Sequence, residues 1–176
     1  GENFLTGCSN LETLHLDYLT GLTEIPAFFC KDLTSLTELT CEGLLVTEIK
    51  DNFLDGCTGL INLDLSALSK VTTLGEKFLT NCSSLETLDM SGWAELTAFP
   101  EDFLKDETNV GLKELTFSGL DAITEIPYSF LTGCINLETL YFENNTNLTS
   151  IAPNFCENLT HLESLSFNGC VNITTL

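Results

Sequence analysis

The sequence predicts an α/β solenoid: a curved right-handed coil of about seven units of ~25 residues, with a parallel sheet on its concave face. The first observation is an aromatic residue that recurs every 24 to 27 residues. The second is that each unit changes from helical to strand-like apolar spacing. The series runs without a linker, so residues 1–176 form one domain. Its aromatic positions are Phe4, Phe29, Phe53, Phe78, Phe103, Phe130 and Phe155.

The first element of each unit is predicted to be a short helix or helical turn on the convex face. Apolar residues stand at i, i+1, i+4 and i+7, which is one face of a helix. In the fourth unit these are Phe78, Leu79, Cys82 and Leu85. The fifth unit carries a two-residue insertion around Glu107-Thr108. Prolines precede three of these segments, where a missing N–H costs a helix little: Pro26, Pro100 and Pro127.

The second element is a short strand with one buried face. Apolar residues alternate with polar ones, as at Leu88 and Met90, and a period of two is typical of strands. A further core-like position follows, which is Trp93 in this unit, and the unit ends in a φ-T-x-φ motif. One strand and one helical turn cannot bury a face alone, so the units must stack.

These motifs resemble the leucine-rich repeat, whose signature is L-x-x-L-x-L followed by N/C and then L/I. All seven units match it, and the run SFNGCVNIT at 166–174 is similar to the cysteine-containing subclass. The F-x-x-x-C-x-x-L block, as in FLTNCSSLETLDMSG, more closely resembles the BspA-like subclass of microbial surface repeats. That resemblance implies a non-enzymatic binding or adhesion module at a cell surface or in an extracellular assembly.

The charge balance restricts the class of partner. The chain has 26 acidic and 6 basic residues, for a net charge of −20, and every basic residue is lysine. Nothing offsets the charge of phosphates, which excludes nucleic acid and disfavours anionic membrane surfaces. No apolar run is long enough to insert into a membrane. A cationic partner is favoured instead.

The solvent-facing strand positions form the candidate binding surface, because solenoids bind partners on the concave sheet. Seven of these positions are acidic and none is basic, which predicts a basic or hydroxyl-rich protein, with a glycan as the alternative. The predicted positions are Thr13, His15, Asp17, Glu38, Thr40, Glu42, Asn62, Asp64, Ser66, Thr87, Asp89, Ser91, Glu114, Thr116, Ser118, Thr139, Tyr141, Glu143, Ser164, Ser166 and Asn168.

A regular column of threonines gives a second candidate surface, the Thr ladder. It consists of Thr23, Thr47, Thr72, Thr97, Thr124, Thr149 and Thr174. A structural interpretation is that threonine suits extended backbone and that its hydroxyl bonds to the neighbouring coil. The functional interpretation is a hydroxyl array that binds an ordered lattice such as ice or a polysaccharide.

The eight cysteines all stand in columns that sister units fill with apolar residues, which predicts reduced thiols in the core. Cys57 and Cys82, in adjacent units, are the one pair worth testing for a disulfide. No cofactor or metal site is predicted, since no C-x-x-C pair is present and histidine is scarce. Sequons for N-glycosylation occur at Asn81, Asn144, Asn147, Asn158 and Asn172.

Catalysis is not predicted. Asp64 and Asp89 form a carboxylate pair one unit apart, but repetition alone produces such pairs. No nucleophile triad or phosphate loop is present. An alternative to binding is a structural array that assembles end to end, because neither the start at Gly1-Glu2 nor the end at Leu176 resembles a polar cap. We therefore expect a fragment of a longer array.

Overall fold

The computed structural model describes residues 3–101, 103–105, 109–128 and 130–175. The predicted insertion at Glu107-Thr108 and the terminal residues Gly1, Glu2 and Leu176 lie outside these ranges. Twelve strands lie within the described residues, in chain order β1 to β12. They are Thr13–His15, Glu24–Ile25, Glu38–Thr40, Glu48–Ile49, Asn62–Asp64, Thr73–Leu74, Thr87–Asp89, Glu114–Thr116, Glu125–Ile126, Thr139–Tyr141, Ser150–Ile151 and Ser164–Ser166. Each pairs in parallel with a strand of another unit.

Sheet 1 contains the three-residue strands, one from each unit. Its order is β1-β3 and, separately, β5-β7-β8-β10-β12, with β3 next to β5 but not hydrogen-bonded to it. Each strand has an apolar residue in its middle, and five of the seven are fully or almost fully buried, as Leu63 and Leu88 are. The strands therefore have the register that the leucine spacing predicts, with one face on the core and the other in solvent.

Sheet 2 contains the two-residue strands, which come from the φ-T-x-φ motifs and were not predicted as strands. Its order is β2-β4-β6 and, separately, β9-β11. The apolar residue that ends each strand is buried, as in Ile49 and Ile126. Each unit therefore contributes to two parallel sheets, and its apolar residues fill the space between them.

The phenylalanine column lies in this core and stacks along the solenoid. From Phe29 to Phe130, the ring centroids of successive members are 5.7 to 6.4 Å apart. A single core cluster extends from Leu16 to Leu159. The stacked units therefore bury their aromatic residues against one another, as a repeat architecture requires.

The predicted short helices do not form in the described residues. Their segments are turns in which residues such as Cys30, Leu54 and Leu79 have φ values near 60°. Such left-handed backbone costs a non-glycine residue roughly 1–2 kcal/mol. Amide groups here donate to other units instead of along a helix: Leu54 to the Phe29 carbonyl at 3.3 Å, and Leu79 to the Phe53 carbonyl at 3.1 Å. The described residues thus form a parallel-strand β-solenoid, and the predicted α/β class with helices on the convex face is not confirmed.

Sheet 2 is interrupted at residues 97–99, and two prolines explain the interruption. In sister units the residue after the strand donates its N–H to the previous unit. These bonds run from Lys50 to Ile25 at 2.9 Å, from Gly75 to Ile49 at 2.7 Å and from Ala152 to Ile126 at 3.0 Å. Pro100 and Pro127 occupy this position and have no N–H to donate. The missing N–H groups therefore remove two bonds between units from sheet 2.

Candidate functional site

All 21 predicted sheet positions are exposed or half-buried, and none is in the core. The first residue of each strand is aligned with the first residue of its neighbour, as for Asn62 and Thr87. The third residues align in the same way, as for Asp64 and Asp89. The solvent side of sheet 1 therefore carries ordered rows of polar side chains, which we call the sheet face.

The centre of the sheet face contains an acidic groove with a cavity volume of about 400 Å³. Four acidic residues line it, and they come from β3, β5, β7 and β8. These are Glu38, Asp64, Asp89 and Glu114. Among the residues that the structure describes, no lysine or histidine lines the groove. Like charges on neighbouring strands repel each other, so a cationic group in the groove would relieve that repulsion.

Asp64 and Asp89 also shape the ends of their strands. The Asp64 carboxylate accepts the backbone N–H of Ser66 at 2.9 Å, and Asp89 accepts that of Ser91 at 2.8 Å. Each aspartate thus fixes a turn two residues downstream, as aspartate commonly does. The turns hold both carboxylates in place along the groove.

The first two units form a hydrogen-bond network on the same face. The Thr40 hydroxyl donates to the Asp17 carboxylate at 2.6 Å and lies 2.9 Å from His15 Nδ1. The backbone N–H of Glu42 donates to the other Asp17 oxygen at 2.7 Å. The Thr40 bond, followed by the Glu42 backbone bond, holds the pKa of Asp17 below its usual value. Glu42 in turn raises the pKa of Tyr18 through a side-chain hydrogen bond.

Other predicted positions pair across the strands of the sheet face. The Thr87 hydroxyl donates to Asn62 Oδ1 at 2.8 Å. The Ser166 hydroxyl donates to the Glu143 carboxylate at 2.7 Å. Tyr141 is half-buried in the aligned row between Thr116 and Ser166. The face is therefore partly organised by its own hydrogen bonds before any partner arrives.

Most hydroxyls of the Thr ladder bond within the protein. Four of the seven donate to the backbone carbonyl of the preceding ladder threonine, at 3.0 to 3.3 Å. The donors are Thr47, Thr72, Thr149 and Thr174. Each of these hydroxyls already donates its proton, so it could only accept a hydrogen bond from a ligand. The structural interpretation of the ladder therefore accounts for these four residues.

The cysteines are all free thiols. Cys57 Sγ donates to the Cys30 carbonyl at 2.9 Å, and Cys82 Sγ donates to the Leu54 carbonyl at 3.1 Å. Burial raises the pKa of Cys57 to about 12. Cys8 is exposed, which corrects the expectation that every cysteine is in the core. Cys156 and Cys170 are half-buried.

Ion pairs connect neighbouring units away from the sheet face. Lys50 pairs with Glu24 at 2.8 Å and Lys70 with Glu95 at 2.8 Å. Lys31 pairs with Asp55, a nearly buried carboxylate that also accepts a hydrogen bond from Asn81. These lysines are therefore occupied in fixing one unit to the next.

The described residues contain no group of three His, Cys, Asp or Glu side chains arranged to hold a metal ion. None of the described segments is a helix long and apolar enough to span a membrane. The five sequon asparagines are exposed. In Asn147 and Asn172 the side-chain nitrogen, the atom to which a glycan attaches, donates to a neighbouring carbonyl at 2.9 and 2.7 Å.

Comparison with protein families gives a match over the whole chain. The family model of a BspA type leucine rich repeat region of six copies matches residues 1–138 and 116–176. No curated protein matches the chain.

Two solved structures are similar at low sequence identity. One is a leucine-rich repeat protein from Bacteroides ovatus, at 14% identity and a TM-score of 0.36, covering 99% of this chain and 74% of that chain. Another is an internalin from Listeria monocytogenes, at 15% identity and a TM-score of 0.24, covering 85% of this chain and 68% of that chain. Both TM-scores are below 0.5, and no conclusion about this chain depends on either structure.

Proposed function

Since the chain belongs to the BspA-type leucine-rich-repeat family, we propose that it is a non-enzymatic binding module that recognises a basic protein through the acidic groove of its sheet face. Adhesion at a cell surface or in an extracellular assembly is the setting we propose for it. Residues 1–176 act as one binding domain in this proposal.

One observation carries the proposal. Carboxylates from four strands line one groove, and the described part of the chain places no basic side chain there. The lysines with described ion pairs are held elsewhere, against carboxylates of neighbouring units. A positively charged segment that follows the groove would meet a carboxylate on each strand. Such electrostatic complementarity accelerates association and weakens it as salt is added.

The partner chemistry follows from the same surface. Aromatic anchors are scarce on the sheet face, where Tyr141 is the main one. Aromatic and arginine side chains supply most hot spots in protein interfaces. We therefore propose that the partner supplies the anchors, as lysine or arginine side chains, and that the groove supplies their counter-charges.

The test removes two groove charges without changing the shape of the groove. The variant Asp64→Asn/Asp89→Asn keeps the oxygens that accept the Ser66 and Ser91 N–H groups. We expect a lysine-rich peptide to bind it at least about tenfold more weakly at low salt. The matched control, Glu48→Gln/Glu76→Gln, removes two acids that lie away from the groove. Equal weakening by both double variants would mean that only net charge matters, and the groove would lose its assigned role.

End-to-end assembly is the second candidate function. Its support is exposed apolar surface at β12, a strand at one edge of sheet 1. Leu165, the middle residue of β12, is 42% exposed, and Val171 shortly after it is 78% exposed. Sedimentation analysis across a concentration series distinguishes the two candidates. Concentration-dependent growth in mass would favour assembly, and a constant monomer mass would count against it.

A further inference from the structure

From the interruption of sheet 2, we infer a second binding site, a cleft between the fourth and fifth units that takes one ring of a neutral saccharide. The cleft has a volume of about 170 Å³. Its lining is Thr97, Ala98, Phe99, Thr124, Glu125 and Pro127. These residues stand outside the acidic groove and belong to two segments, 97–99 and 124–127, that do not pair with each other.

The backbone of the cleft has unpaired hydrogen-bonding groups. In the described structure, the N–H and C=O groups of residues 97–99 make no backbone–backbone hydrogen bond. In the next pair of units, the Thr124 carbonyl accepts the N–H groups of Thr149 and Ser150 at 2.9 and 3.3 Å. The equivalent partners across the cleft are the Thr97 carbonyl and the N–H groups of Thr124 and Glu125. These residues are exposed or half-buried, so their unpaired N–H and C=O groups are open to a ligand that offers both donors and acceptors.

Two hydroxyls of the Thr ladder are also released there. The hydroxyls of Thr97 and Thr124 make no hydrogen bond in the described structure, whereas that of Thr149 donates to a ladder carbonyl at 3.1 Å. The interruption that splits the sheet thus leaves two complete hydroxyl groups facing one cavity. Each can both donate and accept, which matches the hydroxyls of a sugar.

The other residues that line the cleft further restrict the class of ligand. Glu125 contributes a carboxylate, which accepts hydrogen bonds and disfavours an anionic ligand. Phe99, whose half-buried ring also packs against Phe103 and Phe130, and the exposed Pro127 supply apolar surface. A neutral sugar ring has polar edges and an apolar C–H face, so it fits a site with both kinds of lining.

The first experiment is an NMR titration of the full chain. The probes are the methyl glycosides of glucose, galactose, mannose and N-acetylglucosamine. We expect at least one to give saturable shifts confined to the amides of residues 97–99, 124 and 125. If none of the four shifts these amides, or if ethylammonium chloride shifts them and the sugars do not, the saccharide site is overturned.

The second experiment closes the cleft. Pro127→Ala supplies an N–H that can donate to the Phe99 carbonyl, as that of Ala152 does to Ile126. We expect the sugar shifts to be lost, while the matched control Pro26→Ala, in the first unit, keeps them. Unchanged binding by Pro127→Ala would overturn the inference.

A pair of threonine variants keeps the inference testable if the proline variant fails to fold. Thr124→Val removes a free hydroxyl and should weaken sugar binding about tenfold. Thr149→Val removes a hydroxyl already used by the ladder and should leave the affinity unchanged. Equal weakening by both would also overturn the inference.

Discussion

The indole N–H of Trp93 donates a hydrogen bond of 2.7 Å to the carbonyl of Leu65, one unit earlier in the chain. Two later units satisfy the equivalent carbonyl with a different side chain at the same position. Asn145 donates to Phe117 at 2.9 Å, and Cys170 Sγ donates to Phe142 at 2.8 Å. This column therefore combines core packing with a hydrogen bond that ties each of these units to its neighbour.

We predict that Trp93→Phe destabilises the protein by about 1 kcal/mol, because the Leu65 carbonyl keeps the Leu68 backbone N–H at 2.9 Å but loses the indole as its second donor. Urea unfolding followed by circular dichroism measures the change. Hydrogen exchange of the indole N–H provides an independent check, since a buried, bonded N–H exchanges slowly. Fast exchange of that proton in the native protein would show that the bond does not form.

The second prediction concerns the network around Asp17. Its pKa is lowered by the Thr40 hydroxyl and then by the Glu42 backbone N–H. A carboxyl with a depressed pKa contributes stability above its unfolded pKa and loses that contribution as pH falls through the folded pKa. We expect Thr40→Val to raise the pKa of Asp17 in an NMR titration at acidic pH. Thr87→Val, whose hydroxyl bonds Asn62 instead, should not change it.

The third prediction concerns thiol reactivity. Burial raises the pKa of Cys41 to about 11 and that of Cys134 to about 12, so few thiolates exist at pH 8. The exposed Cys8 should react with iodoacetamide first in the native protein, and Cys8→Ser should abolish that fast phase.

In urea without reductant, all eight cysteines should react, because all are free in the structure. Protection of Cys57 and Cys82 under those conditions would reveal a disulfide and contradict the prediction. Peptide mapping by mass spectrometry identifies the labelled residues.

The sequence predicts sheet 1 well because the buried face of each strand follows from the alternation of apolar and polar residues within that strand. A period of two leaves the leucine on one face and its neighbours on the other, so Leu88 is buried while Thr87 and Asp89 face solvent. Spacing of i, i+4 and i+7 does not distinguish a helix from a turn that bonds to adjacent units. The positive φ values of Leu54 and Leu79 could therefore not be predicted from the sequence.

Sheet 2 and its interruption depend on backbone hydrogen bonds between neighbouring units, which the sequence of one unit does not reveal. The φ-T-x-φ motif alternates like a strand, but two residues are too few to predict one. The two prolines are evident in the sequence. Their effect on sheet 2 follows only from the structure, which shows that sister units use the backbone N–H at that position to bond the previous unit. The released hydroxyls of Thr97 and Thr124 follow from that missing bond, so the cleft could not be predicted from either unit alone.

The last prediction compares two glycines. Gly56 has a φ of 80°, and a Cβ added there would lie 2.4 Å from Asp32 Oδ1 and 3.4 Å from Asp32 Cα. Its N–H also donates to the Thr80 carbonyl at 2.9 Å, so the backbone cannot rotate freely to relieve the strain. We expect Gly56→Ala to cost at least about 1 kcal/mol in urea unfolding. Gly21→Ala is the control, since a Cβ there meets nothing within 4 Å and the φ lies outside the left-handed region. It should be neutral or stabilise by up to about 1 kcal/mol, because alanine lowers the entropy of the unfolded chain. If both variants changed stability equally, the turn at Gly56 would not require its left-handed backbone.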